Sequence, residues 1–251
     1  MASIRTLVVT AIIGLSTVPF ATQAQDAAAP AAAAEPKDFI TLSGTAAFVS
    51  DYRFRGISLS DKHIAGQASI TATSEPGFFA SIWGSSIEPI GATETSTGAH
   101  QEIDVTAGFA KEFSGITPTI GVVGYLYPGG TGVDYYEVFG SVAGALGPVN
   151  VTVGVNYAPN QSNLESDNTY VYILPSFAIP DTPVTLVGSV GYESGSLQGG
   201  PKGKVDYMVG VNYAYKFITL GAQYVGNDLG DQAFDRRISK SGFVFSITAA
   251  F

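Results

Sequence analysis

Apolar and polar residues alternate with a period of two along most of the chain from Phe39 onward. In the segment 149–157, valine or tyrosine occupies every odd position, and small or polar residues occupy the even ones. The same alternation recurs in the segments 102–109, 205–215 and 218–224. Because successive side chains of a strand point to opposite faces, the pattern predicts many β-strands, each with one apolar and one small, polar face.

The segment 241–251 shows the alternation most clearly. One face carries large apolar side chains, namely Phe243, Phe245, Ile247 and Phe251. In a soluble protein such a final strand would expose an aggregation-prone edge. In a closed membrane barrel its aromatic face contacts lipid, and its edge pairs with the first strand. We interpret the segment as the closing strand, paired with the strand that starts at Phe39. The aromatic end also resembles the signal that barrel-assembly machinery recognises.

The alternating segments and the turn residues between them predict an all-β fold, an antiparallel up-and-down transmembrane β-barrel of about 12 strands. The predicted strands are 39–50, 62–73, 78–88, 100–112, 116–127, 133–145, 149–158, 167–178, 184–193, 204–215, 218–226 and 239–251. Their connections alternate between short and long, as the turns and outer loops of outer-membrane barrels do. An error of one hairpin would give ten or fourteen strands.

A water-soluble β-sandwich also alternates, but its apolar faces point inward. The alternation of short and long connections favours the membrane barrel, whose apolar faces point to lipid. Tyrosines near the predicted strand ends fit an interfacial aromatic girdle, namely Tyr125, Tyr127, Tyr135, Tyr136, Tyr157, Tyr192, Tyr213, Tyr215 and Tyr224. Ordinary β-propensity of tyrosine is the alternative explanation.

The N-terminal residues predict export. Arg5 precedes an apolar run at 7–20, and small residues at 22 and 24 fit a cleavage site. We therefore predict a cleaved signal peptide at 1–24, an Ala/Pro-rich linker at 25–38 and an outer-membrane β-barrel at 39–251. The alternative, a membrane-anchoring helix, needs a run of about 20 apolar residues. The expected location is the outer membrane of a Gram-negative bacterium.

Composition excludes several classes of function. The chain has no cysteine, which removes disulfides and thiol nucleophiles. Arg5 is the one basic residue of the first 24, so 11 of the 12 basic residues remain after cleavage, against 21 acidic ones. Nucleic-acid binding needs a basic face, so no nucleic-acid partner is expected. The expected partners are outer-membrane lipid, barrel-assembly machinery and small hydrophilic solutes.

The segment 49–61 carries the most distinctive charges. Arg53 and Arg55 flank Phe54, Asp51 precedes them, and Gly56 is expected to end the strand. In one hypothesis the two arginines point into the lumen and form an anion-attracting constriction. In the other they pair across the lumen with buried acids and serve structure. The predicted pore-lining residues are Arg53, Arg55, Glu102, Asp104 and Glu137.

The same region resembles a known family. The stretch 50–56 reads SDYRFRG, the stretch 77–85 reads GFFASIWGS, and Glu102 and Asp104 follow two positions apart. Together these resemble the TorF-type porin family of Gram-negative bacteria, although Ser86 stands where asparagine is expected. The resemblance implies an outer-membrane barrel and a porin role. It implies no substrate and no catalytic residues.

Enzyme chemistry finds little support in the sequence. The two histidines, His63 and His100, lie beside predicted outer loops, without a Gly-x-Ser-x-Gly motif around them. The glycines of 129–132 fit a turn between strands, and the acidic loop 227–235 lacks the EF-hand spacing. We therefore predict no catalytic residues, no metal site and no cofactor.

These patterns favour a porin that passes small hydrophilic solutes by passive diffusion through a narrow polar lumen. Barrels of about 8 strands are filled by side chains, and those of about 16 hold aqueous channels, so twelve strands leave the width of the lumen open. The alternative is a closed structural or loop-displaying barrel without pore activity. An outer-membrane hydrolase that uses His63 or His100 is a third hypothesis.

Overall fold

Twelve antiparallel strands close into a barrel in the computed structural model, which describes residues 39–251. The barrel strands are β1 Ile40–Val49, β4 Ala65–Ser74, β5 Phe78–Ile90, β6 Ala99–Ala110, β7 Ile116–Leu126, β8 Tyr135–Leu146, β9 Val149–Ala158, β10 Asn168–Ala178, β11 Val184–Gly195, β12 Lys204–Tyr215, β13 Ile218–Asn227 and β14 Gly242–Ala250. Two short strands, β2 Arg53–Phe54 and β3 Ile57–Ser58, form a separate hairpin, and Gly230–Gln232 form a 3₁₀ turn.

The predicted fold class and the count of twelve barrel strands are confirmed, with strand ends that differ from the prediction by at most three residues. The predicted signal peptide and linker, 1–38, lie outside the described residues. No helix within 39–251 has the length and apolar character that a membrane crossing requires.

The barrel closes where β1 pairs with β14, as the alternation of the final segment predicts. The register runs antiparallel from Thr45 opposite Ala250 to Val49 opposite Ser246. Beyond the last strand residue, Gly44 and Phe251 exchange two backbone hydrogen bonds, of 3.0 and 3.1 Å. Every barrel strand is therefore paired on both sides, which is the condition for placing strands in lipid.

The two faces of the barrel wall are inverted relative to a soluble protein. Large apolar side chains lie on the outside, and Phe243, Phe245, Ile247 and Phe251 are 68%, 58%, 46% and 81% exposed. Their neighbours Val244 and Thr248 are buried. Buried threonine and asparagine side chains recur along the inner faces of the other strands. This is the arrangement of a barrel whose outer surface contacts lipid and whose lumen is polar.

The connections define two ends of the barrel. Short turns at 75–77, 111–115, 147–148, 179–183 and 216–217 lie at one end, called here the turn end. Longer segments lie at the other, called the loop end, namely 50–64, 91–98, 127–134, 159–167, 196–203 and 228–241. The first of these segments positions the candidate site, because it contains the hairpin of β2 and β3.

The tyrosines assigned to the predicted girdle do not all lie on the outer surface. Six of the nine tyrosines are exposed on the outer surface, namely Tyr136, Tyr157, Tyr192, Tyr213, Tyr215 and Tyr224. Tyr125, Tyr127 and Tyr135 are instead buried, so their assignment to the girdle is wrong. Tyr125 and Tyr135 face each other across β7 and β8, and their rings stack at 4.5 Å. Strand parity turns both side chains inward, and Tyr125 packs there against Phe54 of β2.

Candidate functional site

The loop after β1 folds into the barrel instead of standing above it. Residues 51–58, called here the lumen hairpin, pair Arg53 with Ser58 and Phe54 with Ile57. Arg55 and Gly56 form its tip with φ angles of 46° and 82°, the two positive values that a tight two-residue hairpin turn requires. Arg55 therefore sits at the turn and does not continue the strand face of Asp51 and Arg53.

A salt bridge and hydrogen bonds between its own residues stabilise the base of the hairpin. Arg53 Nε donates to Asp51 Oδ2 at 2.6 Å, and Ser58 Oγ donates to Asp51 Oδ1 at 2.6 Å. Arg53 Nη1 also donates to the backbone carbonyls of Gly56 and Lys240, at 3.2 and 2.9 Å. Arg53 thus holds the hairpin closed and ties it to the loop 228–241, and its charge is matched locally by Asp51.

The tip of the hairpin reaches two strands of the barrel wall. Arg55 Nη2 lies 2.6 Å from Glu137 Oε2 on β8, and Arg55 Nη1 lies 2.6 Å from Glu193 Oε1 on β11. Lys204 Nζ on β12 lies 2.6 Å from the other oxygen of Glu193. Each of these four side chains is at most 1% exposed. A buried charge is tolerated only when it is paired and hydrogen-bonded, so this cluster fixes the tip in place.

Aromatic rings surround the same cluster. The Arg55 guanidinium lies over the rings of Phe54 and Tyr170, 4.7 and 4.3 Å from their centroids. Phe54 meets the Tyr125 ring edge-on at 5.7 Å. At the base of the hairpin, Tyr52 packs on Trp83 of β5 at 5.4 Å. These contacts add apolar area and cation–π attraction to the ion pairs.

Gly56 lets the hairpin approach the wall at β13. Its carbonyl accepts a hydrogen bond of 3.0 Å from Asn227 Nδ2, and a Cβ at this position would lie 2.7 Å from the carbonyl oxygen of Gly226. The positive φ and the close approach both require glycine here. Asn227 Nδ2 also donates to Ser239 O at 3.0 Å, so one amide joins the hairpin, the wall and the loop 228–241.

Two acidic side chains of β6 face inward on the far side of the lumen from β12. Glu102 is 0% and Asp104 is 6% exposed. Glu102 Oε1 accepts a hydrogen bond of 3.1 Å from Tyr127 Oη. Glu102 Oε2 and Asp104 Oδ1 have no hydrogen-bond partner within residues 39–251, and neither acid forms a salt bridge with a described residue.

Toward the turn end the lumen wall is mostly uncharged and mixes polar side chains with apolar ones such as Phe79 and Val187. Its buried side chains include Thr106, Thr117, Thr119, Thr185, Asn212, Thr219 and Thr248. Asn212 is 1% exposed, and within the described residues neither atom of its amide has a hydrogen-bond partner. Buried polar groups almost always find a partner, so the Asn212 amide is available to hydrogen-bond water or a solute that enters the lumen. The wall therefore suits a hydrated passage.

The five predicted pore-lining residues all lie inside the barrel, near the loop end. Arg55 and Glu137 contact each other directly, Arg53 pairs with Asp51 instead, and Glu102 and Asp104 stand apart from both arginines. Glu193, Lys204, Asp206 and Tyr170 also belong to this region and were not predicted from the sequence. Their signal was weak, because a lone charge near a strand end looks like a solvated loop residue.

Both histidines and the aspartates of the loop 227–235 are exposed and take no part in the lumen site, whereas Asn227 at the start of that loop contacts the hairpin. His63 is 70% exposed at its side chain and its Nδ1 lies 3.1 Å from Glu88 Oε1. In the acidic loop, Asp231 pairs with Arg236, and Asp235 accepts a hydrogen bond from the Arg237 amide. No group of three or more His, Asp or Glu side chains within the described range is placed to hold a metal ion.

The inverted barrel, its closed strand order and its polar inner wall define a porin-like outer-membrane β-barrel. The chain belongs to the Gcw_chp family, described as bacterial proteins of unknown function, which matches residues 33–251. This family has a different name from the TorF-type porins, so membership of that narrower group stays a prediction. No curated protein sequence matches the chain at a significant level.

Solved structures with the same fold include two porins. A KdgM porin superposes with a TM-score of 0.56 at 10% identity, covering 83% of this chain and 98% of that one. A NanC porin superposes with a TM-score of 0.54 at 13% identity, covering 84% and 99%. At such low identity the likeness establishes the barrel fold alone.

Proposed function

We propose that the protein is an outer-membrane channel through which small hydrophilic solutes diffuse passively. The observation that carries the proposal is the set of polar side chains on the inner wall, among them Thr185, Asn212 and Thr248. When the lumen is hydrated, such groups can hydrogen-bond to a passing solute and replace part of its hydration. The porin fold of the two similar structures is consistent with this role.

The lumen hairpin is the proposed constriction. It occupies the loop end of the barrel, where Arg55 reaches β8 and β11 at the same time. A solute that enters from this end must pass beside the hairpin, so the position of the hairpin sets the width of the passage. In this mechanism Arg53 keeps the hairpin folded and Arg55 holds it against the barrel wall. The polar side chains toward the turn end then form hydrogen bonds with the solute.

A closed barrel without pore activity is a second candidate, and one observation favours it. The side chains of Arg55, Glu137, Glu193 and Lys204 are at most 1% exposed, so water does not reach the centre of the constriction in this conformation. If the hairpin never leaves this position, the barrel serves as a structural element that displays its loops.

Single-channel recording in planar bilayers separates the two candidates. Protein whose folded state has been verified by heat-modifiable gel migration is expected to give stepwise conductance. Swelling of liposomes that contain the protein, in sugars of increasing size, then gives the size limit of the passage. Folded protein that gives neither conductance nor swelling would overturn the channel and leave the closed barrel.

The location of the protein leads to two further proposals. Cleavage after residue 24 would remove the predicted signal peptide, and mass spectrometry of the protein from outer membranes should find Gln25 at the N-terminus. Phe243, Phe245, Ile247 and Phe251 form the proposed assembly signal, and their outward, exposed positions leave them accessible to assembly machinery and lipid. A mature chain that retains residues 1–24 would refute the cleavage.

A further inference from the structure

The buried charges of the barrel interior do not balance. Nine buried side chains among the described residues are ionisable acids or bases, and six of them are carboxyl groups while three are basic. The acids are Asp51, Glu102, Asp104, Glu137, Glu193 and Asp206, and the bases are Arg53, Arg55 and Lys204. Acidic groups therefore outnumber basic groups by three.

Each of the three buried basic side chains forms a salt bridge with a buried carboxylate. Arg53 pairs with Asp51, and Arg55 and Lys204 share Glu193, with Glu137 as the second partner of Arg55. An anion in the lumen would have to compete with these carboxylates at 2.6 Å. The arginines of the hairpin are thus poorly placed to attract anions, although the sequence alone left that role open.

The surplus acids are Glu102, Asp104 and Asp206. Asp206 Oδ1 accepts a hydrogen bond of 3.2 Å from Tyr170 Oη. Glu102 and Asp104 lie two residues apart on β6, so both side chains point from the same face of the strand into the lumen. Glu102 Oε2 and Asp104 Oδ1 are buried oxygens without a donor among residues 39–251. Two carboxylates on one strand face repel each other, and a cation beside them relieves that repulsion.

Aromatic rings border this acidic pair. Trp83 on β5 lies directly opposite Asp104, and Tyr52 of the lumen hairpin packs on Trp83. Tyr127 donates its hydroxyl to Glu102. The faces of aromatic rings carry negative electrostatic potential and attract cations, so the surroundings of the pair add to the preference of the carboxylates.

We infer that the lumen selects small cations over anions and that Glu102 and Asp104 are the residues that determine this selectivity. The inference rests on the proposed channel function and adds the charge class of its solutes. The pair acts on passing ions, because the described residues provide no third His, Asp or Glu ligand that would hold a resident metal. Cations therefore gain electrostatic stabilisation at the constriction, and anions are repelled there.

The test is the reversal potential of the mature protein in planar bilayers across a KCl gradient at pH 8. The expected permeability ratio of K⁺ to Cl⁻ is about five or more, the size of one unit-charge contact in water. Replacing the pair, Glu102→Gln with Asp104→Asn, should bring the ratio close to one at similar unit conductance. Glu94→Gln with Glu165→Gln removes two carboxylates from exposed loop positions and should leave the ratio unchanged.

The outcomes separate the inference from the function on which it rests. Folded wild-type protein without conductance overturns both. Conductance with a ratio of one or below overturns the cation preference and leaves the channel standing. A high ratio that survives in the folded double variant overturns the assignment to Glu102 and Asp104. If the double variant does not fold, the single change Asp104→Asn is tested, and it must lower the permeability ratio. An unchanged ratio in this single variant also overturns the assignment to the pair.

Discussion

Arg55 Nη2 lies 2.6 Å from Glu137 Oε2, and neither side chain is reached by solvent. The two residues belong to different parts of the barrel, since Arg55 is at the tip of the lumen hairpin and Glu137 is on the wall strand β8. Breaking a buried pair by removing one partner typically costs about 3–5 kcal/mol, because the other charge is left uncompensated. The position of the hairpin is thus linked directly to this contact.

Replacing Arg55 by alanine should release the hairpin from the wall. Glu137 and Glu193 would then be buried without their shared guanidinium, which favours a hydrated, more open lumen. We expect a larger unit conductance and a lower temperature of heat-modified gel migration. Arg236→Ala is the matched control, because Arg236 is 64% exposed and pairs with Asp231 on the loop surface. Equal conductance in the two variants would show that Arg55 does not hold the constriction.

The two carboxylates that bind Arg55 should differ in importance. Glu193 is shared with Lys204, so Glu193→Gln leaves two buried basic groups short of a negative charge. Glu137→Gln leaves Arg55 with Glu193 as a partner. We therefore expect the Glu193 variant to unfold at a lower temperature than the Glu137 variant, measured by heat-modified migration in parallel samples. The reverse order would contradict the charge distribution described for the hairpin tip.

Gly56→Ala should displace the hairpin tip, because the added Cβ would lie 2.7 Å from Gly226 O. Gly132→Ala provides a close control, since Gly132 also has a positive φ, of 68°, with no heavy atom within 4 Å of its Cβ position. Both variants bear the strain of a left-handed backbone, about 1–2 kcal/mol. Only Gly56→Ala should alter single-channel conductance, and identical recordings from the two variants would count against the close contact.

Gly44→Ala should impair barrel closure. A Cβ on Gly44 would lie 2.4 Å from Cζ of Phe251, so the ring that covers the seam would be pushed away. We expect lower amounts of folded protein in outer-membrane fractions, measured by blotting of unheated samples. Gly66→Ala is the control, because its Cβ would make only an ordinary contact of 3.6 Å with Phe48.

Deletion of Phe251 should lower outer-membrane levels more than it changes conductance. Phe251 supplies two backbone hydrogen bonds to Gly44 and an exposed aromatic ring at the seam of β1 and β14. Losing them weakens closure at the turn end, far from the hairpin. Normal levels of the shortened protein in outer-membrane fractions would exclude a role of Phe251 in assembly.

The sequence by itself determined the barrel. Period-two alternation and the alternation of short and long connections are local properties, because each strand carries its own lipid face and pairs with its neighbour in the chain. The pairing of β14 with β1 follows because, in lipid, every strand must form hydrogen bonds with a neighbour on each side. Even the inward positions of Glu102, Asp104 and Glu137 follow from strand parity.

Only the tertiary structure decided what fills the lumen. The sequence presented 51–61 as a loop, and the choice between an anion-attracting role and structural pairing for Arg53 and Arg55 was open. Arg55 contacts carboxylates that are 82 and 138 residues away along the chain. The alternation of apolar and polar residues does not predict contacts between residues so far apart in sequence. The outcome depends on where buried charge finds a partner, because a charge inside the barrel is stable only beside its opposite. That condition accounts for the inward position of the hairpin tip, where Arg55 meets Glu137 and Glu193.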